Sequence, residues 1–117
     1  MTESSGGLRR FTLQEANTLL PSVRRLTDAA VSDVESLTRR MHKAQQGSAH
    51  YSRLDEALQE RIAQWALEIE ALGGAVKGLW LVDFDNGDGY YCWQHPEPEI
   101  THYHGYTDGF AGRMKIV

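Results

Sequence analysis

The sequence predicts an α+β protein: a long antiparallel helical hairpin followed by a small antiparallel β-sheet. Apolar residues recur at three- and four-residue steps from Ala16 to Met41 and again from Leu54 to Leu72, the spacing of one helix face. Beyond Gly73-Gly74 that period gives way to two aromatic runs, Leu79 to Phe84 and Tyr90 to Trp93. Between them lies Asp85-Asn86-Gly87-Asp88-Gly89, a dense cluster of turn formers.

With 117 residues the chain has enough length for one modest core, so a single domain is expected. Residues 1–10 read as a flexible arm, 11–74 as the hairpin and 75–117 as a small β region carrying the candidate site. The first helix opens on a capping box, in which Thr12 supplies a hydroxyl acceptor and Glu15 a carboxylate three positions on. Its apolar stripe runs through Ala16, Leu19, Val23, Leu26, Ala30, Val34, Leu37 and Met41. Pro21 predicts a kink or a division of this helix, because its ring clashes with the preceding turn. Lys43 to His50 is a polar connection. The second helix carries Leu54, Leu58, Ile62, Trp65, Ile69 and Leu72, and glycine at 73 can take the left-handed conformation that closes it.

In the β region, a strand, a tight turn and a returning strand cover Leu79 to Trp93. His95-Pro96-Glu97-Pro98 leaves the sheet, since proline cannot donate to a ladder. Ile100 to Tyr106 predicts a third extended segment, and Gly109 to Arg113 a loop or strand end. The helices bear apolar surface on more than one side. A second copy pairing across a twofold axis would cover it, so a homodimer is expected.

A formal charge of −4 and a pI near 5.7 count against a nucleic-acid partner, which needs a basic face. The pairs Arg9-Arg10, Arg24-Arg25 and Arg39-Arg40 are interspersed with acids and read as a solvated face. No apolar run approaches membrane-spanning length, and the first residues lack the apolar segment of a signal peptide. A single cysteine forms no internal disulfide, which fits a cytoplasmic protein.

The chemistry concentrates between Val82 and Arg113, where Cys92, the chain's only cysteine, lies near His95, Glu97, Glu99, His102 and His104. His102 and His104, two apart, project to one face of a strand. With Cys92, and with Glu99 or else His95 as the fourth, they form a candidate ligand set for a divalent transition metal such as zinc, which takes thiolate, imidazole and carboxylate. The chain lacks a CxxC pair and an HExxH motif. The competing reading keeps Cys92 as a small buried hydrophobe. A Cys92 nucleophile activated by His102 or His104 is weaker, since Tyr91 and Trp93 flank it in an aromatic strand. Asp83, set between Val82 and Phe84, is a candidate buried carboxylate, with Arg113 as the obvious salt-bridge partner. The run Gly109-Phe110-Ala111-Gly112-Arg113 offers backbone N–H groups and a cation to an anion or cofactor through Gly109, Gly112 and Arg113. A tight turn burying Phe110 explains it equally well. Trp65, Trp80 and Trp93 read as core or interface anchors.

Several of these motifs occur together in a recognisable order. They are Phe11-Thr12-Leu13-Gln14-Glu15-Ala16-Asn17-Thr18-Leu19-Leu20-Pro21, Gly78-Leu79-Trp80-Leu81-Val82-Asp83-Phe84, Tyr91-Cys92-Trp93, Glu97-Pro98-Glu99-Ile100 and Gly109-Phe110-Ala111-Gly112-Arg113. From Phe11 to Arg113 the chain resembles the uncharacterised prokaryotic family known as domain of unknown function 2203. The resemblance implies a small intracellular protein with a helical N-terminal half, and it implies no activity. Family members carry Trp-His-Glu where this chain has Tyr103-His104-Gly105. Any role of that glutamate would fall here to Glu99, Asp108 or Glu97.

The sequence therefore predicts a non-enzymatic binding or interaction module with a C-terminal pocket able to take a metal. The alternative is a small metal-dependent hydrolase with Cys92, His102 and His104 as ligands and Glu99 as base. A purely structural dimeric adaptor is the third reading.

Overall fold

A computed structural model describes residues 9–117; the first eight residues of the expected arm lie outside the described residues. Helix α1 (Leu13–Lys43) begins at the predicted capping box, with Thr12 Oγ1 accepting from the Glu15 N–H at 3.1 Å and Glu15 Oε1 accepting from the Thr12 N–H at 2.8 Å. Arg40, His42 and Lys43 in the last turn complement its dipole. Pro21 does not divide this helix, which continues through it as one element. Pro21 is exposed, while Ala16, Leu20 and Val23 around it are buried. Their packing outweighs a proline penalty of about 3 kcal/mol.

Helix α2 (Ala49–Ala71) starts at Ser48, whose hydroxyl accepts from the Tyr51 N–H, and closes at Gly73 with φ +104°. The two helices form the predicted hairpin. Five strands follow: β1 (Ala75–Gly78), β2 (Leu81–Asp85), β3 (Tyr90–Gln94), β4 (His102–His104) and β5 (Met114–Lys115). They form an antiparallel meander in chain order. Strands β1 and β5 extend the sheet beyond the sequence expectation. A Cβ at Gly74 would lie 2.8 Å from a Val82 methyl and 2.9 Å from one of Ile69, so glycine lets α2 turn closely into β1. In the β2–β3 turn, Asn86 Oδ1 accepts from the N–H groups of Asp88 and Gly89.

The core lies between the hairpin and one face of the sheet. Leu20, Val23, Trp65 and Ile69 meet Val82, Phe84, Trp93 and Ile100 there. One buried polar relay crosses this core. Trp65 Nε1–H donates to Thr27 Oγ1 at 2.8 Å, and the Thr27 hydroxyl donates to the Val23 carbonyl at 2.7 Å. Both residues are fully buried, so neither group has water as a substitute.

Replacing Thr27 by Val keeps the volume and removes the acceptor, leaving the indole N–H unpaired. We expect Thr27→Val to lower unfolding free energy by about 1–3 kcal/mol in urea denaturation, whereas Thr27→Ser retains most of the relay.

Candidate metal centre

Strand alternation builds the site. Val82 and Phe84 enter the core, so Asp83 between them faces the opposite side of the sheet. The Asn86–Gly89 turn sets Asp83 opposite Cys92 and Asp85 opposite Tyr90. Strand β4 then pairs Cys92 with His102 and Tyr90 with His104. Paired residues share a face, and the outer face therefore carries a row of Asp83, Cys92 and His102 beside a row of Asp85, Tyr90 and His104. The C-terminal segment folds over this face. Asp83, Cys92 and His104 are 1%, 0% and 3% exposed.

A carboxylate oxygen of Asp83, Cys92 Sγ and a ring nitrogen of His104 lie within 4.8 Å of one another. His104 Nε2 is 2.9 Å from Asp83 Oδ2, and its Nδ1 is 2.8 Å from the Gly105 carbonyl oxygen. A carbonyl only accepts, so Nδ1 carries a hydrogen and donates to it. In the neutral ring, Nε2 then presents a lone pair to a carboxylate. A cation, either a proton or a metal, is required between them. Asp83 Oδ1 is buried with no hydrogen-bond partner.

Burial pushes the Asp83 carboxyl above its ordinary range, opposed by His104, Cys92 and the Lys77 charge. Burial and then the Asp83 charge push the Cys92 thiol up to about 12, with Arg113 acting in the opposite direction. Cys92 is therefore a protonated thiol at neutral pH in the absence of a metal. Both ring nitrogens of His104 are committed, which leaves none to activate the thiol. This arrangement does not build a cysteine nucleophile.

The residues singled out from sequence are distributed unevenly around this cluster. Cys92 and His104 are in it. His102 is half-buried beside Cys92, with Nδ1 2.9 Å from Thr101 Oγ1, and stands outside it. Glu99 is exposed and is not brought to it. His95 faces Asp28 at 3.4 Å. Arg113 pairs with Glu97, at 2.7 and 3.2 Å, and not with Asp83. Its guanidinium also stacks over Phe110 and reaches 4.0 Å from Cys92 Sγ. Phe110 is 39% exposed and so does not fill the core. Gly109 and Gly112 bound a single 3-10 turn, Phe110–Gly112, in which the N–H groups of Gly112 and Arg113 donate to the carbonyls of Gly109 and Phe110. Those two donors are thereby used within the turn. Asp108 accepts from the Gly105 N–H at 3.0 Å, fastening the residue whose carbonyl orients His104.

Sequence reasoning missed the pairing of Asp83 with His104 and the part of the Gly105 carbonyl. The alternation Val82-Asp83-Phe84 was the available signal. Gly89 is a further close-packed position: a Cβ there would collide with the His104 carbonyl, so glycine permits the end of β4 to approach. Above the cluster lies a half-open cavity of about 340 Å³, with Asp83 and His104 reaching it beside Lys77, Tyr90, Tyr106 and Phe110. Tyr106 donates its hydroxyl to Asp85 Oδ1 at 2.7 Å and meets the Tyr90 ring edge-on at 5.1 Å.

The profile of the family described as "Uncharacterized conserved protein (DUF2203)" matches residues 9–116. No curated protein and no solved structure matches the chain significantly. Among the described residues, no helix is long and apolar enough to cross a membrane.

The Glu97–Arg113 pair ties the loop after β3 to the C-terminal segment. Burial alone would raise the Glu97 carboxyl, but the Arg113 hydrogen bonds, the Gln94 N–H and the Arg113 charge hold it below its ordinary range. A carboxylate depressed on folding stabilises the protein above its unfolded value and loses that effect as pH falls through the folded value. Glu97→Gln should therefore cost about 1 kcal/mol at pH 7. In paired urea denaturations, that difference from wild type should shrink below about pH 4.5.

Proposed function

This chain belongs to the uncharacterized conserved protein family DUF2203, and we propose that it is a metal-binding module. Asp83, Cys92 and His104 hold one divalent transition metal, such as zinc. The observation that carries this reading is the facing pair of acceptors, His104 Nε2 and Asp83 Oδ2, beside the Cys92 thiol. Thiolate, imidazole and carboxylate together are a donor set suited to zinc. The Nδ1–H donated to the Gly105 carbonyl is the outer hydrogen bond that orients a metal-binding histidine. A metal also gives the buried Asp83 Oδ1 region a positive partner. On binding, it displaces the thiol proton and any proton held between Asp83 and His104.

Three protein ligands would leave a fourth position open, and Asp83 and His104 both line the cavity. That openness supports a second reading as a metal-dependent hydrolase. Among the described residues, the only carboxylate lining the cavity is Asp83, itself a ligand in this scheme, and Glu99 is exposed elsewhere. Without a separate base beside the fourth position, binding is the better supported reading. His102 and Glu99 are left out of the proposed ligand set.

A homodimer through the hairpin completes the proposal. The shared core with the sheet ends at Ala30 on α1 and at Trp65 on α2, while Val31, Val34, Leu37 and Met41 beyond it are only half-buried. A reduced cytoplasm suits a ligand set that uses a free thiol.

Metal analysis of untagged protein purified without chelators tests the ligand set. We expect near-stoichiometric zinc or a related metal, lost in Asp83→Asn, Cys92→Ser and His104→Ala, and retained in His102→Ala and Glu99→Gln. Circular dichroism of each variant separates ligand loss from unfolding. Wild-type protein that takes up no metal even after incubation with excess zinc contradicts the proposal.

A further inference from the structure

The cavity above the cluster has a composition that selects among ligands. Among the described residues, its walls are Leu81, Tyr90, Tyr106 and Phe110, its floor is Asp83 and His104, and its single cation is Lys77. Lys77 Nζ lies 4.4 Å from the centre of the Tyr90 ring and 3.2 Å from its hydroxyl. Among the described residues Lys77 enters no ion pair, whereas Arg113, the other cation near the cluster, is matched by Glu97.

Charge counting then sets the ligand. A divalent metal held by the Cys92 thiolate, the Asp83 carboxylate and a neutral His104 is electrically balanced. Lys77, exposed at the rim, adds one positive charge beside it, so the groups that line the cavity are left with a single excess charge. A single negative charge restores neutrality; a phosphate dianion overshoots it. The aromatic and aliphatic walls favour an apolar body attached to that charge. At about 340 Å³, the cavity falls at the lower end of the range for small-molecule sites.

We infer that this cavity binds a small monocarboxylate with an apolar body, one carboxylate oxygen on the metal and the other on the Lys77 ammonium. The inference rests on the metal-binding reading and adds to it the class of ligand. A carboxylate suits both partners at once, because one oxygen can coordinate a metal while the other accepts a hydrogen bond from an ammonium. The apolar body lies against Tyr90, Tyr106 and Phe110, and an aromatic one gains contacts there beyond area burial.

Cobalt(II) substitution of the full chain gives a visible spectrum sensitive to the fourth ligand, and benzoate is the probe. We expect a saturable spectral change with benzoate, weakened about ten- to a hundredfold in Lys77→Ala, the effect of losing a charge-assisted hydrogen bond. Lys77→Arg should keep most of the binding. Inorganic phosphate should not displace benzoate at equal concentration. Cobalt content measured on the same samples keeps the two readings apart. Full cobalt loading without a response to benzoate, phosphate binding in preference to benzoate, or unaltered benzoate binding by Lys77→Ala overturns this inference alone. Failure to bind cobalt overturns the metal reading and this inference with it.

Discussion

The face that Asp83 occupies on β2 governs most of what this protein can do. Val82 and Phe84 are fully buried against the hairpin, and fully burying each such side chain contributes about 1.5–3 kcal/mol. Slipping the strand by one residue would expose them and turn Asp83 into the core. The apolar pair therefore decides the register, together with Trp93 on β3. The carboxylate is driven to the outer face, opposite Cys92, where the C-terminal segment buries it. A buried carboxylate needs a proton, a cation or hydrogen-bond donors, since charge buried without a partner costs several kcal/mol. The chemistry of the site follows from that requirement.

What covers the outer face is a loop in place of a second sheet or a helix. From Gly105 to Arg113 it is fastened at separate points: Asp108 to the Gly105 N–H, Tyr106 to Asp85, and Arg113 to Glu97. These polar fastenings leave room for the cavity, which close-packed apolar side chains would have filled. Gly89 and Gly105 allow the backbone of β3 and the end of β4 to meet where the site is formed, and a Cβ at Gly105 would lie 2.6 Å from the Asp108 carboxylate. The Gly-Phe-Ala-Gly-Arg run thus contributes chiefly through Arg113, which joins Glu97, Phe110 and Cys92.

The helical half was legible because its signals are local. The Thr12–Glu15 box, the apolar periods and the closing glycine at 73 all lie within a few residues of what they determine. Thr27 escaped notice, since its burial depends on Trp65, which is 38 residues away in sequence. The Asp83–Cys92 register was within reach, as the Asn86–Gly89 turn between their strands is short. The β3–β4 register was not, because seven residues including Pro96 and Pro98 connect Gln94 to His102. Whether His104 or His102 meets Asp83 depends on that connection. The same connection directs Glu97 toward Arg113 and leaves Glu99 in solvent, a choice that alternation alone does not make. Strands β1 and β5 are short and lack a period of their own, so their existence depends on the neighbours they pair with.

The central claim is that one thiolate, one imidazole and one carboxylate share a metal at Asp83, Cys92 and His104. X-ray absorption at the zinc edge of the loaded full chain tests it most directly. The account predicts a single sulfur scatterer at about 2.3 Å with nitrogen and oxygen neighbours at about 2.0–2.2 Å. A zinc site with oxygen and nitrogen neighbours alone in the wild-type chain would contradict the account.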